Sequence, residues 1–477
     1  MEENNIVNIA SEFRNINISL DGIFGNSYTE AVKTAYTFLR ERTADELRDI
    51  VGKKLEFIPD FDQLDKSTFV KSYQKPISDD ILAGYGIFKI TESKVLQIDW
   101  TGGHYQLPLG YHYPILDNLL TEARNLGIID DTHNNTPGMP VKLLARELVK
   151  SANAFDNVTF DEIIKSDDRL NRVTSVDTGT VAVSTGLKGI LYRFCEIHKG
   201  MIPVFIMQEG NYHGTDFFEQ RLRGMWEWLF RNVIIEYAKP NDIDNLRALF
   251  SKYVKSKDEK IAVMMIEPVL MNNRAIYLTP DYMQEAKKLC VQNDVVLFLD
   301  EIQTSMWSPK VFMSNEHNGI ADVLSIGKGL TAGYSPLAYT LSKCCLDNQD
   351  QYSSISTNGN ADMAALAGLV VLEIVRNNSE HIESIGNYYF DELCKLQQKY
   401  VDKIVEITGY RHLAGISLVN GEIAGKFHKI CLDKGLFVRL QSYKEGASTI
   451  ITKPPIIVNS SDVDFVIRIL NDGLRQI

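Results

Sequence analysis

The sequence lacks the marks of several common classes of protein. Its six cysteines include no Cys-x-x-Cys pair, and the adjacent Cys344 and Cys345 make a poor geometry for a disulfide or a metal site. No apolar run is long enough to span a membrane, and the first residues, MEENNIVNIASEF, show no basic segment before an apolar core. No Gly-x-Gly-x-x-Gly follows a predicted strand, which disfavours a Rossmann dehydrogenase. We therefore expect a reduced, cytoplasmic protein.

Positive charge is also scarce relative to negative charge. The formal net charge is −12 and the pI is near 5.4, which argues against a surface that binds nucleic acid. The chain has 477 residues, of which 44% are hydrophobic, so it can bury a large core and should form more than one domain. We expect small-molecule partners and no nucleic acid or membrane.

The most informative stretch contains two apolar runs, each followed by a polar residue suited to chemistry. Val295–Leu299 reads as a buried strand that ends at Asp300, and residues 323–326 read as another strand before Gly327-Lys328-Gly329. Parallel strands present their chemistry at their carboxyl ends, so Asp300 and Lys328 could face one crevice. Such a pair suits pyridoxal phosphate (PLP): the amine forms a Schiff base with the aldehyde, and the carboxylate keeps the pyridine nitrogen protonated. In the alternative interpretation, Asp300 only caps the end of a strand, and Lys328 is one of many solvent-exposed lysines.

A second feature suits the phosphate of the same cofactor. Residues 177–188 form a small, hydroxyl-rich turn that enters a predicted helix, where backbone N–H groups and the helix dipole attract a dianion. Thr178, Gly179 and Thr180 are the candidates. The same residues also suit an ordinary helix start, in which a threonine caps the first turn.

An aromatic residue follows the next predicted strand, at residues 202–207. Tyr212 could stack on a flat pyridine ring. His213, beside it, is more often structural in such a turn. A further buried strand over residues 261–266 is predicted to end at Glu267.

These motifs resemble those of a known family. DEIQT at residues 300–304, followed by GKGLTAGYSPLA at residues 327–338, resembles the signature region of class III aminotransferases. These are PLP enzymes of fold type I and include ornithine, 4-aminobutyrate and diaminopelargonate transaminases. The resemblance implies an α/β fold with a mostly parallel central sheet in a large domain, and a smaller α+β domain built from the N- and C-terminal segments.

The resemblance also suggests domain boundaries. Residues 1–115 would comprise a helical extension and a segment that contributes to the small domain and the pocket. Residues 116–376 would form the large PLP-binding domain, and residues 377–477 the C-terminal small domain. The first 80 or so residues precede the part that resembles the family, and they could shape substrate access or a subunit contact.

The resemblance assigns roles residue by residue. Lys328 would carry the imine, and Asp300 would bind the pyridine nitrogen. Ser356, with Thr357 adjacent, would reach the cofactor phosphate of a neighbouring subunit, which implies a homodimer with shared active sites. The remaining cofactor-binding candidates are Thr178, Gly179, Thr180, Tyr212, His213, Glu267, Ile302 and Gln303.

The chain departs from the family where some members bind a dicarboxylate. Thr215 stands where an arginine follows His-Gly, and Asn272 stands where the family has an acid. The segment Ile451-Thr452-Lys453 before Pro454-Pro455 holds no arginine, although some members have one shortly before such a pair. A glutamate and 2-oxoglutarate couple is therefore less expected. The substrate candidates are Gly103, His104 and Tyr105 in an aromatic loop, with Arg411 and Arg439 as carboxylate ligands.

The sequence thus predicts a PLP-dependent aminotransferase. Lys328 would carry the cofactor and shuttle a proton while an amino group passes from an amine or amino acid to a keto acid or aldehyde. A racemase, epimerase or aminomutase could use the same residues, because these enzymes differ in where the proton returns. A homologue that binds PLP without catalysis is the remaining alternative. No metal site is expected.

Overall fold

The computed structural model describes residues 18–74, 79–129, 135–350, 352–441 and 447–477. The strands are β1 (Ile81–Tyr85), β2 (Phe88–Thr91), β3 (Leu96–Asp99), β4 (Leu170–Val176), β5 (Ile202–Gln208), β6 (Ile234–Ala238), β7 (Glu259–Ile266), β8 (Val269–Leu270), β9 (Ile276–Tyr277), β10 (Val296–Asp300), β11 (Val323–Ile326), β12 (Ala338–Lys343), β13 (Ile404–Tyr410), β14 (Leu413–Leu418), β15 (Leu436–Phe437), β16 (Arg439–Leu440) and β17 (Thr449–Thr452).

The helices lie between these strands and at both ends of the described chain. They are α1 (Leu20–Phe24), α2 (Asn26–Arg40), α3 (Ala44–Arg48), α4 (Lys71–Gln74), α5 (Gly102–Tyr105), α6 (Pro114–Asn125), α7 (Met139–Ala152), α8 (Phe160–Lys165), α9 (Gly179–Ile197), α10 (Phe217–Arg221), α11 (Ile243–Val254), α12 (Pro280–Gln292), α13 (Asp362–Asn377), α14 (Ser379–Lys399), α15 (Gly421–Asp433) and α16 (Ser460–Leu474).

A seven-stranded sheet forms the centre of the molecule. Its strand order is β4-β12-β11-β10-β7-β5-β6, and β11, β10, β7, β5 and β6 pair in parallel. Strand β12 runs antiparallel to both of its neighbours. All residues of β10 and β11 are buried, as the continuous apolar runs of covered parallel strands require. The predicted α/β fold with a mostly parallel sheet is confirmed.

Two large hydrophobic cores account for most of the buried apolar residues. The larger draws its residues mainly from positions 105–382 and covers one face of the central sheet, and a smaller cluster that includes residues of α9 covers the other face. The second core, which we call the small core, combines residues 31–100 with residues 385–474. The N- and C-terminal segments therefore share one core, because each alone offers too little apolar surface to bury. The domain boundaries at residues 115 and 376 stay predictions.

Hydrogen bonds join the two terminal segments as well. Strands β2 and β3 form an antiparallel hairpin, and β15 pairs in parallel with β3. A separate four-stranded sheet has the order β13-β14-β17-β16. Residues 99–105 and Arg439 consequently lie close together, although the chain between them builds the whole central sheet.

The N-terminal segment is fastened to the small core by packing and by charge. Helix α2 buries Ala31, Ala35 and Leu39 completely. Arg48, at the end of α3, makes an ion pair with Asp462 in α16, and both side chains are almost fully shielded from solvent. A buried ion pair gains little over apolar packing, but removing one partner leaves an uncompensated charge.

Two further observations concern membrane-spanning helices and disulfide bonds. Within the described residues, no helix combines the length and the apolar character that crossing a membrane requires. All six cysteines lie in the described part of the chain and are free thiols, with Cys290 and Cys431 buried.

We predict that Arg48→Ala lowers the free energy of unfolding by about 3 kcal/mol, because Asp462 would stay buried without its partner. Urea denaturation followed by circular dichroism measures this change. The matched control is Lys429→Ala, which removes an exposed i,i+4 pair with Asp433 and should cost less than about 1 kcal/mol. Equal losses in the two variants would contradict the assignment.

Candidate active site

Asp300 and Lys328 lie at the carboxyl edge of the central sheet, on neighbouring parallel strands. Asp300 is the last residue of β10 and pairs with Ser325 of β11. Lys328 follows the end of β11 and begins a short 3-10 helix, Lys328–Thr331. The two residues therefore lie at the same edge of the sheet, since parallel neighbours end on the same side, and the crevice between them stays a prediction.

The Asp300 carboxylate is buried and held by three donors. His213 Nδ1 lies 2.8 Å from Oδ2, while Ser325 Oγ and the Ile302 backbone N–H donate to Oδ1 at 2.9 and 3.0 Å. These contacts fix the orientation of the carboxylate. A negative charge is therefore presented in one place at the end of the strand.

His213 is the principal partner of Asp300. Burial alone would lower the pKa of His213, but the hydrogen bond and the charge of Asp300 outweigh it, so the pKa is raised. A raised pKa favours the imidazolium, which stabilises the ionised carboxylate. The other ring nitrogen, Nε2, is buried and has no hydrogen-bond partner among the described residues. This position is compatible with a structural role for His213. It is equally compatible with the predicted role in binding the cofactor.

The Lys328 amine is tuned towards its uncharged form. The protein packed around it lowers its pKa, and the charge of Arg439 acts in the same direction, whereas Asp300 and Glu267 oppose the shift. A lowered pKa increases the fraction of free amine near neutral pH, the form that attacks an aldehyde. Lys328 also adopts a positive φ of 41°, an uncommon conformation for a lysine.

Glu267 connects Tyr212 with Gln303. Its carboxylate accepts the Tyr212 backbone N–H at 2.7 Å and the Gln303 Nε2 at 3.2 Å. Burial raises the pKa of Glu267 to about 7; His213 opposes this shift and Asp300 adds to it. The Tyr212 ring is partly exposed, with the Arg223 guanidinium 4.9 Å from its centroid. Glu267 therefore positions the backbone that carries the predicted stacking residue.

The predicted phosphate candidates form the N-terminus of a long helix. Thr178 caps α9 and accepts the Val181 N–H through its hydroxyl at 3.4 Å. A Cβ on Gly179 would lie 2.8 Å from Ile302 Cδ1, and one on Gly214 would lie 2.5 Å from Thr180 Oγ1. A side chain at Gly179 or Gly214 would therefore crowd Ile302 or Thr180, and the helix dipole points its positive end towards this region.

Ser356 reaches the same helix start from a distant part of the chain. The Ser356 hydroxyl donates to Asp177 at 2.6 Å, next to Thr178, and Thr357 is exposed. The contact with Asp177 is made within one chain. The predicted reach to a neighbouring subunit stays a prediction.

The aromatic loop also lies at this site. Gly103, His104 and Tyr105 belong to the short helical turn α5, and His104 Nε2 is 3.1 Å from a guanidinium nitrogen of Arg439. Burial lowers the pKa of His104 to about 4, and the charges of Arg439 and Lys328 add to this shift. Arg439, rather than Arg411, is the arginine that the fold brings here.

Arg411 is held in another network. Its guanidinium donates to both oxygens of Glu316 at 3.1 Å, to Glu383 at 2.6 Å and to Asn387 at 3.3 Å. Its side chain is 9% exposed. Because these partners already occupy its donors, we do not retain Arg411 as a substrate ligand.

Two residues at the site were not anticipated from the sequence. Ser325 donates to Asp300 from the middle of the apolar run of β11, and a serine in such a run was the available signal. Asp99 is buried at the end of β3 and accepts the Thr101 and Gly103 N–H groups. The sequence feature that could have indicated Asp99 is its place at the end of a strand of alternating apolar and polar residues.

Solved structures of transaminases share this fold. An ornithine aminotransferase from Toxoplasma gondii superposes with a TM-score of 0.71 and 18% identity, covering 86% of this chain and 92% of that one. A transaminase from the marine bacterium Virgibacillus gives a TM-score of 0.70 and 16% identity, covering 82% and 91%. The fold is therefore that of the transaminases.

The chain belongs to the class-III aminotransferase family, whose family model matches residues 91–474. An acetylornithine aminotransferase from Aquifex aeolicus is 24% identical over 82% of this chain and 96% of its own length. Another, from Caldanaerobacter subterraneus, is 28% identical over an alignment that covers 51% of this chain and 59% of that relative's length. The protein is thus an aminotransferase of a PLP-dependent family, as its motifs predicted.

We predict that Glu267→Gln flattens the pH dependence of stability in the cofactor-free protein. Burial raises the pKa of Glu267 to about 7 in the folded state, whereas an unfolded glutamate titrates near ~4.3. Between these values the folded state binds more protons, so stability falls as the pH rises, by at most ~1.4 kcal/mol per pH unit.

Urea unfolding at pH 5, 6 and 7 tests this prediction. The control is Glu422→Gln, at an exposed position on α15, which should keep the wild-type slope. If Glu267→Gln and wild type lose stability equally over this range, Glu267 does not titrate there.

Proposed function

We propose that this chain binds PLP at the carboxyl edge of its central sheet and uses it to transfer amino groups. The observation that carries the proposal is the Lys328 amine of lowered pKa at the end of one strand, beside the buried Asp300 carboxylate at the end of its parallel neighbour. An amine and a carboxylate on opposite sides of a crevice match the two ends of the cofactor that need them.

The residues present fit this cofactor. The α9 N-terminus, with the Thr178 hydroxyl and Gly179 backbone, suits a phosphate dianion. The Ile302 side chain lies close to Gly179 and Gly327. This apolar side chain would cover one face of the cofactor ring. Tyr212 would cover the opposite face, and Gln303 would bond the phenolic oxygen.

When bound, PLP supplies an electron sink that stabilises charge beside the substrate amine. Asp300 would hold a proton on the pyridine nitrogen, and His213 would keep Asp300 ionised through its 2.8 Å contact. The Lys328 Nζ would accept a proton from the substrate carbon that bears the amine and return it to the cofactor carbon on the other side of the amine nitrogen. Its lowered pKa makes the free amine available as this base.

The substrate proposal is an amine or amino acid as donor and a keto acid or aldehyde as acceptor. The relatives named acetylornithine and ornithine aminotransferases support an amino acid. Thr215 and Asn272 replace charged residues expected for a glutamate couple, and residues 451–453 before Pro454-Pro455 hold no arginine. We therefore place the specificity of this chain elsewhere in the pocket.

We propose a cytoplasmic homodimer with shared active sites. Large apolar side chains are exposed on α6 and α7, including Ile115, Leu119, Met139 and Leu143, and these suit a subunit contact. The exposed Thr357 beside Ser356 supports the sharing of a phosphate site. Cysteines that form no disulfide support a reducing compartment.

We predict that borohydride treatment of the PLP-loaded protein leaves a pyridoxyl label on Lys328, found by peptide mass spectrometry. Lys328→Ala should lose the label and reduce amino transfer by about 10²–10⁴-fold, because the proton shuttle is gone. The control is Lys426→Ala, an exposed lysine paired with Glu422, which should keep both label and activity. A label on another lysine would overturn the proposal.

The same preparation separates amino transfer from isomerisation. Incubation with an amine donor should yield a keto product and leave pyridoxamine phosphate, detected by absorbance and chromatography. A racemised donor without keto product would indicate the isomerase alternative.

We predict a particle mass of twice the 54.0 kDa chain, measured by light scattering. Mixing Lys328→Ala with the double variant Ser356→Ala/Thr357→Val should restore activity, because a hybrid dimer with shared sites retains one intact site. Recovery should reach about a quarter of wild type on random exchange. A monomer, or inactive mixtures in which subunit exchange is verified, would contradict shared sites.

A further inference from the structure

A fully buried lysine contacts the loop that follows Asp300. Lys453 comes directly after β17, and its side chain is completely shielded from solvent. Lysines are almost never fully buried unless an acid pairs with them. Within the described part of the chain, the charged group that perturbs the Lys453 amine is instead another lysine, Lys328. A role other than ion pairing must therefore explain this amine.

The surroundings of Lys453 favour its uncharged form. Burial lowers its pKa well below the ordinary value for a lysine, and the charge of Lys328 adds to this shift. Its Nζ donates to the Gln303 carbonyl at 2.6 Å. The same atom lies 3.5 Å from the centroid of the Trp307 ring, so the aromatic face covers it. The amine thus acts as a hydrogen-bond donor to the protein and is not presented to a substrate.

Trp307 makes the reverse contact. Its indole Nε1 donates to the Pro454 carbonyl at 2.9 Å. Each of the two segments therefore donates one hydrogen bond to the backbone of the other. We call these two hydrogen bonds, together with the packing of the Lys453 amine on the indole, the lysine–tryptophan clasp. The clasp joins the loop after β10 to the residues after β17, and these two strands belong to different sheets.

Close packing fixes the Trp307 ring within the clasp. A Cβ on Gly329 would lie 2.6 Å from Trp307 Cζ3, and one on Gly102 would lie 3.2 Å from Cζ2. Gly329 directly follows Lys328, so the indole packs against the backbone next to the Lys328 amine. The indole cannot turn without displacing these two backbone segments, because buried side chains are close-packed.

The clasp also fixes the backbone that carries Gln303. The Gln303 side chain is buried, and its Nε2 donates to Glu267 at 3.2 Å. Its main-chain carbonyl is held by Lys453. A hydrogen bond at each end of the residue restricts its rotation, because buried polar groups that lose a partner have no water to replace it. Gln303 is therefore oriented by the protein itself.

We propose that the lysine–tryptophan clasp positions the Gln303 amide to bind the phenolic oxygen of PLP. The inference rests on the proposed function and deepens it, since it assigns a role to the buried side chains of Lys453 and Trp307. Both are positioning residues, because they act through Gln303.

A double-mutant cycle in the cofactor-free chain tests the clasp itself. Lys453→Met keeps an unbranched side chain but removes the donor to Gln303, and Trp307→Phe keeps an aromatic ring but removes the donor to Pro454. Urea unfolding followed by circular dichroism gives the unfolding equilibrium constant of each variant. The effect of the double variant should differ from the product of the two single effects by at least about twofold, because the contacts form one unit. Independent effects would overturn the clasp.

PLP binding tests the action through Gln303. Lys453→Met and Trp307→Phe should each raise the Kd for PLP by about 2–10-fold, the effect of weakening one hydrogen bond. Gln303→Ala should raise it similarly, and adding Lys453→Met to Gln303→Ala should cause little further change. Equilibrium dialysis measures the Kd, and the absorbance maximum of the bound cofactor should shift in all of these variants. The control is Lys426→Met, at an exposed lysine on α15, which should match wild type.

The outcomes separate this inference from the function on which it rests. If Lys453→Met and Trp307→Phe bind PLP as wild type does, or if their effects add fully to that of Gln303→Ala, the clasp does not position Gln303 while amino transfer stands. If Lys453→Met does not unfold cooperatively, Trp307→Phe with and without Gln303→Ala decides the question. If the wild-type chain takes up no PLP, the proposed function fails and the inference falls with it.

Discussion

The hydrogen bonds to the Asp300 carboxylate are the constraint on which the site depends. A buried negative charge is costly unless donors surround it, and here His213, Ser325 and the Ile302 N–H supply them. Those donors come from three different segments of the chain. The central sheet must therefore be assembled in register before these donors can stabilise the charge. The hydrogen bonds to Asp300 thus depend on the correct fold.

Several charges are balanced around this centre. Asp300 and Glu267 oppose the burial that depresses the pKa of Lys328, while Arg439 adds to the depression. His213 opposes the rise in the pKa of Glu267, and the pKa of His213 is itself raised, so two acids and three bases act on one another's protonation. Such arrangements of perturbed groups are typical of active sites, because each group tunes the protonation of the next.

The small core explains how distant segments reach this cluster. Strand β15 pairs with β3, which places Arg439 beside the turn at residues 102–105. Helices α2 and α3, which precede the residues matched by the family model, pack on the same core. The contact between the turn and Arg439 depends on assembly of this core, since the two lie far apart in the sequence.

The sequence by itself determined the family, the parallel strands and the positions of Asp300, Lys328 and the α9 start, because local apolar runs and motifs carry that information. Only the tertiary structure decided which arginine enters the site. Arg411 is paired with Glu316, whereas Arg439 meets His104, 335 positions away. Pairing between distant side chains depends on how sheets and cores assemble, and no local pattern encodes it.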